Sequence, residues 1–352
     1  MNVEPLRVLI VDDSRIFRGV IEEALAGRDD VKVVGSVYSG EKAIEFARGE
    51  LPDFVTLDIE MPGMNGIETL KALRDLARSR RKRIGILLVS SYTRRGAAVT
   101  IEGLQEGAFD FITKPEGPDN VANAESLRRE LIAKINAFRS RVSGPIAGTA
   151  NRGTTTGVRR SFRAVVIGSS TGGPEALSKL LPILAKGCPV PIFLVQHLPS
   201  NFTEFFSAGI SRRCGIRAVE ATEGMIAEPG NLYIAPGGKH MVLVTRNGRI
   251  TTGLNESPPE NGCRPAADVL FRSAAVVYSG QVLAVVLTGM GSDGAKGATV
   301  LKRAGGYVIA QDEASSVVWG MPGSVVAAGA ADEVLPIEEI GPALMEHLGV
   351  GD

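Results

Sequence analysis

A repeated alternation of short apolar runs and helix-period segments most constrains how this chain can fold. Five runs rich in Val, Ile and Leu occur before residue 114, and a segment of helical periodicity follows each of them. The runs are Arg7–Val11, Val31–Val37, Asp53–Leu57, Ile84–Val89 and Phe109–Thr113. Continuous apolar runs separated by helices, such as Ser14–Ala26 and Gly66–Ala77, are typical of parallel strands covered on both faces. The pattern predicts an α/β domain built from a five-fold βα repeat.

The segment that follows breaks this pattern. Residues 140–160 contain four glycines and four threonines but no acidic, aromatic or leucine residue. Such a composition cannot bury much surface and is typical of a flexible connection. A length of 352 residues also favours two domains, at about 150 residues each. We therefore predict a first domain at residues 5–140, a linker at 141–160 and a second domain at 161–350.

The second half again alternates strands with helices. The predicted strands are Ala164–Ile167, Val190–Val195, Asn231–Ile234, Met241–Thr245, Val282–Leu287 and Tyr307–Ala310. Helices are predicted between several of them, for example at Glu175–Leu184 and Ala295–Ala304. A hairpin turning on Asn247-Gly248 is predicted within Met241–Leu254, because Asn-Gly favours a two-residue turn. The second domain is therefore predicted to be a doubly wound, mainly parallel α/β domain.

Composition excludes several classes of protein. No apolar stretch approaches the roughly 20 residues of a membrane-spanning helix, and 39 basic residues balance 39 acidic ones. The three cysteines lack a paired spacing for zinc or a disulfide framework, and the first residues lack a secretory signal pattern. We therefore expect a cytoplasmic, monomeric protein without membrane insertion. The basic run Arg78–Arg83 follows a helix inside the first domain, which favours a solvated surface over a nucleic-acid site.

Polar side chains lie at the predicted carboxyl ends of the first-domain strands, where open α/β sheets bind ligands. Asp12 and Asp13 follow strand one, Asp58 follows strand three, Ser90 follows strand four and Lys114 follows strand five. Converging carboxylates call for a hard cation such as Mg²⁺, and an aspartate there could attack phosphorus. Each acid alone could merely cap a helix. The five polar residues together favour a phosphoryl site, with Ser90 and Lys114 holding the phosphoryl oxygens.

Residues 7–140 resemble a response-regulator receiver domain through the motifs VDDS, LDIEMPGMNG, LVSS and FITKP. The resemblance implies a flavodoxin-like parallel sheet in which Asp58 accepts a phosphoryl group from a histidine kinase. It also implies a Mg²⁺ site at Asp12, Asp13 and Asp58, and a conformational switch at Ser90, Phe111 and Lys114.

A glycine-rich turn in the second domain fits the G-x-S-x-G pattern of a nucleophile elbow. Gly168-Ser169-Ser170-Thr171-Gly172 lies between a predicted strand and a helix that opens at Pro174. Such a turn presents Ser170 at a helix N-terminus, where the helix dipole favours negative charge. A phosphate-binding turn is the alternative, although the motif matches neither the dinucleotide nor the P-loop pattern.

A serine nucleophile needs a base and an acid at neighbouring strand ends. His197 ends the strand IFLVQ and is favoured over His240 and His347. Asp293 lies in the loop TGMGSDGAKG, whose backbone amides, that of Met290 included, could also bind an oxyanion. Asp268 and Asp312 are rivals for the acid. The order Ser, His, Asp differs from that of the α/β-hydrolases.

Residues 161–350 resemble the catalytic domain of the chemotaxis-type protein-glutamate methylesterases, the CheB family. The resemblance lies in IGSSTGGP, QHLP, YIAPGGKHM and LTGMGSDGA, and it places Ser170, His197 and Asp293 on the catalytic triad, with Met290 at the oxyanion loop. Ser169 stands where alanine is common in the family, so Ser170 is favoured over Ser169 as the nucleophile. The resemblance implies a phosphorylation-activated esterase that demethylates glutamate methyl esters on chemoreceptors and deamidates particular receptor glutamines, with no cofactor in the esterase domain.

Two rival interpretations belong to other classes of protein. One is a phosphorylated binding module with a vestigial esterase site, and the other is a DNA-binding regulator. The balanced charge and the absence of a basic recognition helix in the sequence beyond Arg160 disfavour the second. The partners implied by the favoured interpretation are a histidine kinase and methyl-accepting chemoreceptors, with no nucleic acid.

Overall fold

The computed structural model describes residues 4–115, 119–143 and 161–350. The chain divides into two compact units, Met1–Gly144 and Pro145–Asp352. Most of the predicted linker lies outside the described residues. Residues 141–143 of the predicted linker are described, and they belong to the last helix of the first unit. This helix continues to Ser143, three residues past the predicted end of the domain. Ser140 supports that last turn by donating a hydrogen bond from Oγ to the carbonyl of Asn136, at 3.0 Å.

The first unit contains the predicted five-fold βα repeat. Its elements are β1 Leu6–Val11, α1 Arg15–Leu25, β2 Val31–Val37, α2 Gly40–Gly49, β3 Phe54–Asp58, α3 Gly66–Ser79, β4 Gly85–Ser90, α4 Arg94–Gln105, β5 Asp110–Thr113 and α5 Asn120–Ser143. The strands pair in parallel in the order β2-β1-β3-β4-β5. This is the flavodoxin-like order, so the predicted fold of the first unit is confirmed.

Two local predictions about the first unit are also confirmed. Ser14 is the N-cap of α1 and accepts a hydrogen bond from the amide of Phe17. Residues 78–83, the basic run, are exposed where α3 ends, as expected of a solvated surface.

The second unit is a larger α/β structure. Its elements are β6 Ala164–Ser169, α6 Gly173–Leu184, β7 Ile192–Gln196, α7 Ser200–Cys214, β8 Arg217–Glu220, β9 Asn231–Ile234, β10 His240–Arg246, β11 Arg249–Asn255, α8 Ala267–Val277, β12 Val282–Val286, α9 Ala295–Arg303, β13 Tyr307–Gln311, α10 Met321–Ala327, β14 Glu333–Leu335 and α11 Ile337–His347. Seven strands form one sheet in the order β14-β13-β12-β6-β7-β9-β8, and every pair in it is parallel.

A separate antiparallel pair, β10 and β11, is the predicted hairpin. Arg246 pairs with Arg249, so the loop has two residues, Asn247 and Gly248. Both have positive φ, at 50° and 72°, as a type I′ turn requires.

The strand order places the second-unit site. After β6 the chain forms β7, β8 and β9, which lie on one side of β6 in the order β7-β9-β8, and it later forms β12, β13 and β14 on the other side. The order therefore reverses between β6 and β12, and ligands of open α/β sheets bind beyond the carboxyl ends of strands at such a switch point. The central strands are fully buried, and α8 and α9 pack over them through Phe271, Ala274 and Leu301.

Candidate active site and candidate phosphoryl-acceptor site

The switch point carries the glycine-rich turn that contains Ser170. Strand β6 ends at Ser169, and the amide of Ser170 donates to the carbonyl of Thr288 beyond β12, at 3.1 Å. Gly172 is the N-cap of α6 and has φ +77°, and a Cβ there would lie 2.3 Å from the Cβ of Val317. Only glycine fits this position. Pro174 occupies the first turn of α6, as predicted.

Ser169 and Ser170 have different surroundings. Ser169 is fully buried and donates to Oε1 of Gln196 at 2.7 Å, while Nε2 of Gln196 donates to the carbonyl of Ser170 at 3.0 Å. Ser170 is half-buried, and its Oγ has no hydrogen-bond partner among the described residues. Ser169 thus supports the turn, and Ser170 is the serine of this turn with a free hydroxyl.

His197 follows β7 next to the turn, because its amide donates to the carbonyl of Ser169 at 3.1 Å. Its Nε2 lies 2.8 Å from Oδ2 of Asp293. The structure thus brings His197 and Asp293 into direct contact beside Ser170. No hydrogen bond joins Ser170 Oγ to the imidazole within the described part of the chain.

The Asp293 carboxylate accepts hydrogen bonds from five donors. Besides His197, these are the amides of Ala267, Asp268 and Gly294, at 2.6, 3.0 and 3.0 Å, and Nδ2 of Asn261, at 3.1 Å. Ala267 and Asp268 begin α8, so the carboxylate also lies at the positive end of a helix dipole. Burial alone would raise the pKa of Asp293, but the hydrogen bond with His197 and the backbone donors hold it below its usual value.

The imidazole of His197 has the opposite shift. Burial alone would lower its pKa, but the hydrogen bond with Asp293, together with contact with Cys263, raises the pKa of His197 from 6.5 to about 9. Because Asp293 stays ionised, Nε2 carries the proton in their contact. Nδ1 is then the nitrogen that loses its proton when the imidazolium titrates, and in this neutral form of the ring it can act as a base.

No sequence pattern indicates that Cys263 is part of this site. Its Sγ lies 3.5 Å from Nδ1 of His197. Asn261, two residues earlier, was likewise not expected at the site. No spacing rule points to either residue, because the loop between β11 and α8 reaches the site only through long-range packing.

The loop after β12 passes directly beside Ser170. A Cβ at Gly289 would lie 2.8 Å from Cβ of Ser170 and 2.3 Å from Sδ of Met321. The backbone at Gly289, just before Met290, therefore packs against Ser170 with no room for a side chain between them. This brings the residue predicted to donate to an oxyanion next to the candidate nucleophile.

The rival residues lie elsewhere or face other partners. His240 is buried, with Nδ1 accepting from the amide of Ala266 and Nε2 bonded to the carbonyl of Pro258. His347 contacts Glu333. Asp312 accepts from Ser315, and it is not bonded to the imidazole. The fourth rival, Asp268, is a neighbour of the site: it accepts from Asn261 at 2.8 Å and from the amide of Gly297 at 2.6 Å.

In the first unit the three predicted acids do converge. Carboxylate oxygens of Asp12, Asp13 and Asp58 lie within 4.8 Å of one another at the carboxyl ends of β1 and β3. Lys114 joins them, with Nζ 2.8 Å from Oδ2 of Asp58 and 2.9 Å from Oδ2 of Asp12. The contact with Asp12 is an ion pair without hydrogen-bond geometry. Oδ2 of Asp12 is buried, and it accepts no hydrogen bond among the described residues. Such an oxygen suits a hard cation.

Asp58 is almost completely buried, and burial has the largest effect on the pKa of its carboxyl group. Burial and the neighbouring charge of Asp12 raise the pKa of Asp58 to about 6, against the opposing effect of Lys114. Its Oδ1 accepts from the amide of Glu60 at 3.1 Å.

The two remaining switch residues, Ser90 and Phe111, are buried. Ser90 donates from Oγ to the carbonyl of Ser91 at 3.1 Å. Phe111 is 9% exposed on β5. A role for Ser90 in holding a phosphoryl group would therefore require its side chain to rotate away from Ser91.

The fold and the two sites define a class of protein: a phosphoryl-accepting receiver joined to an α/β unit with a serine-hydrolase arrangement. Comparison with known proteins gives the same division, since the family model for a response regulator receiver domain matches residues 8–125 and that for a CheB methylesterase matches residues 165–344. The chain belongs to the CheB methylesterase family.

Relatives extend the similarity to nearly the whole chain. A protein-glutamate methylesterase/protein-glutamine glutaminase of Nocardioides is 42% identical over 97% of this chain and 95% of the relative. A protein of the same name from Thermotoga maritima is also 42% identical, over 98% of this chain and 99% of the relative. The crystal structure of the Thermotoga maritima CheB methylesterase catalytic domain is 45% identical, with a TM-score of 0.52, and covers 53% of this chain and 98% of that domain.

The helices show no feature of a membrane span. Across residues 4–115, 119–143 and 161–350, none combines the length and the apolar character needed to cross a bilayer.

Proposed function

We propose that this protein is a phosphorylation-controlled serine esterase that hydrolyses glutamate methyl esters on chemoreceptors and deamidates particular receptor glutamines. The observation that carries the proposal is the free hydroxyl of Ser170 beside the His197–Asp293 pair. The family-model match to a CheB methylesterase and the 42% identity to a protein-glutamate methylesterase/protein-glutamine glutaminase support it. We further propose a cytoplasmic location, a histidine kinase as phosphodonor, and a folded domain at residues 5–140 joined by a linker at 141–160 to a catalytic domain at 161–350.

The chemistry follows the roles of the three residues. Ser170 Oγ attacks the ester carbonyl carbon while Nδ1 of His197 accepts its proton, and the amide of Met290 donates to the oxyanion that forms. The C–O bond to the methoxy group then breaks, and His197 returns the proton to the departing methanol. Water attacks the acyl-enzyme by the same route and releases a glutamate carboxylate. Deamidation differs only in that ammonia leaves.

Asp293 makes this proton transfer possible without taking the proton itself. Its five donors fix the carboxylate, and the fixed carboxylate holds Nε2 of His197 in its protonated form. The remaining nitrogen is thereby kept as the acceptor, and the imidazolium formed during the reaction faces a negative charge.

In the receiver, Asp58 is the phosphoryl acceptor, and Asp12, Asp13 and Asp58 would hold Mg²⁺. The chemistry that the ion supplies when bound is neutralisation of the charge on the phosphoryl oxygens. Lys114 contacts the oxygen of Asp58 and can hold the phosphoryl group once it has been transferred. Phosphorylation shifts the esterase between two states, and such coupling is typically worth about 5- to 150-fold.

The test uses the full-length chain and methylated chemoreceptor. Mass spectrometry of receptor peptides should show conversion of glutamate methyl esters, and of some glutamines, to glutamates. Acetyl phosphate with Mg²⁺ should accelerate this conversion in the parent protein but not in Asp58→Asn. Ser170→Ala should abolish it. Binding of receptors without any change in the peptides would instead indicate a binding module with a vestigial esterase site.

A further inference from the structure

A tight turn next to the catalytic pair contacts both of its members. Glu260 and Cys263 exchange backbone hydrogen bonds at 3.0 and 2.9 Å, so Asn261 and Gly262 form a two-residue loop. Both loop residues have positive φ, at 53° and 77°. We call residues 260–263 the Glu260–Cys263 turn.

This turn is anchored to α8. The guanidinium of Arg272 forms a two-pronged ion pair with Glu260, with N–O distances of 2.7 and 2.6 Å. Paired hydrogen bonds of this kind fix orientation as well as distance. Asn261 adds a second attachment, because its Nδ2 bridges Oδ2 of Asp268 and Oδ1 of Asp293. The turn is thus held in place from two sides.

From this anchored turn, the Cys263 thiol reaches the imidazole. Sγ lies 3.5 Å from Nδ1 of His197, and the thiol is half-buried. Because Nε2 is bonded to Asp293, Nδ1 is the nitrogen left to accept the Ser170 proton. The thiol therefore contacts the atom that the nucleophile needs.

We propose that Cys263 is a positioning residue whose sulfur accepts a hydrogen bond from protonated Nδ1 of His197 in the resting enzyme, and that it thereby competes with Ser170 for this nitrogen. The inference rests on the proposed esterase function. The free hydroxyl of Ser170 is what such competition produces, because the serine has no hydrogen bond to the ring while the thiol has the contact.

Loss of the thiol should free the base nitrogen. In Cys263→Ala the imidazole loses a neighbour that favours its protonated form. The net worth of a typical hydrogen bond corresponds to roughly three- to tenfold in an equilibrium constant. We therefore expect the His197 titration midpoint to fall by about 0.5 to 1 pH unit, and kcat/KM near pH 7 to rise about three- to tenfold.

Two measurements test this in the full-length protein. The first is an NMR titration of the histidine ring ¹³Cε1 signals, which is feasible because the chain has three histidines. The His197 signal, assigned by its loss in His197→Gln, should titrate at lower pH in Cys263→Ala, while His240 and His347 do not move. The second is the pH profile of kcat/KM for p-nitrophenyl acetate, which should shift by the same amount.

Matched variants make the result decisive. Cys214→Ala removes a buried thiol at the end of α7 and should leave both midpoints unchanged. Cys263→Ser keeps a hydrogen-bonding group at this position and should shift the midpoint in the same direction by less. An unchanged His197 midpoint in Cys263→Ala overturns the proposal, as does a loss of activity at every pH without a shift.

The proposed function fails separately from this inference. Ester hydrolysis that persists in Ser170→Ala would contradict the proposed function, whatever the NMR titration shows. A shifted NMR midpoint with no serine-dependent hydrolysis would keep the thiol–imidazole contact but remove its role in competition with Ser170.

Discussion

The stability of the second unit should depend on pH through His197. The pKa of this histidine is about 9 in the folded protein, against 6.5 for an unperturbed histidine. A raised pKa stabilises the folded state fully below the unfolded value, and this contribution is lost as the pH rises through the folded value. The shift corresponds to roughly 3 kcal/mol, and because the side chain of His197 is 14% exposed, solvent screening reduces it little. The loss should therefore fall between pH 6.5 and about 9.

The assay compares the parent with His197→Gln, which keeps a polar side chain but cannot ionise. Trp319 is the one tryptophan of the chain and lies in the second unit, where Nε1 donates to the carbonyl of Gln311. Its fluorescence during urea unfolding therefore reports on that unit. The difference in unfolding free energy between parent and variant should fall by roughly 3 kcal/mol from about pH 6 to pH 10. A difference that stays constant over this range would refute the assigned pairing of His197 with Asp293.

Three further predictions concern single residues. Ser169→Ala should retain most esterase activity but lose about 1–3 kcal/mol of unfolding free energy in a urea titration, because Oε1 of buried Gln196 loses its donor; abolished activity would contradict the assignment of the nucleophile. Gly289→Ala should lower kcat by about 10²-fold with a smaller change in KM, since its Cβ would displace Ser170 or Met321; unchanged steady-state kinetics would contradict the close approach. Asp58→Asn should take no label from radiolabelled acetyl phosphate, while the parent is labelled only with Mg²⁺ present; label in the variant would identify a different acceptor.

The strand pattern allowed most of the fold to be predicted, since its central strands are continuous apolar runs. β9 was predicted at Asn231–Ile234, where it lies, and the Asn247-Gly248 turn is of the expected type. The edge strands β8 and β14 were missed. Both are short, and the sequences RAVE and EVL contain charged residues and too few apolar ones to produce a periodic signal.

The site was predictable only as far as strand ends determine it. Ser170 and His197 follow adjacent parallel strands, so their proximity follows from the order of β6 and β7. Which nitrogen faces Asp293, and which group faces the other nitrogen, depends on the Glu260–Cys263 turn. That turn is placed by Arg272 and by the two carboxylates it bridges. Such contacts leave no periodic pattern in the sequence, so Cys263 could not be inferred beforehand.

The contrast between Asp58 and Asp293 shows how similar carboxylates acquire different chemistry. Both are almost completely buried, which by itself raises the pKa of each. Asp293 has five donors, so its pKa is lowered and its lone pairs are all engaged, which suits a fixed counter-ion and prevents it from acting as a nucleophile. Asp58 has two donors and a like-charged neighbour, so its pKa rises to about 6. Its carboxylate is consequently the more basic of the two, and it is the one that gains most from a bound cation and an incoming phosphoryl group.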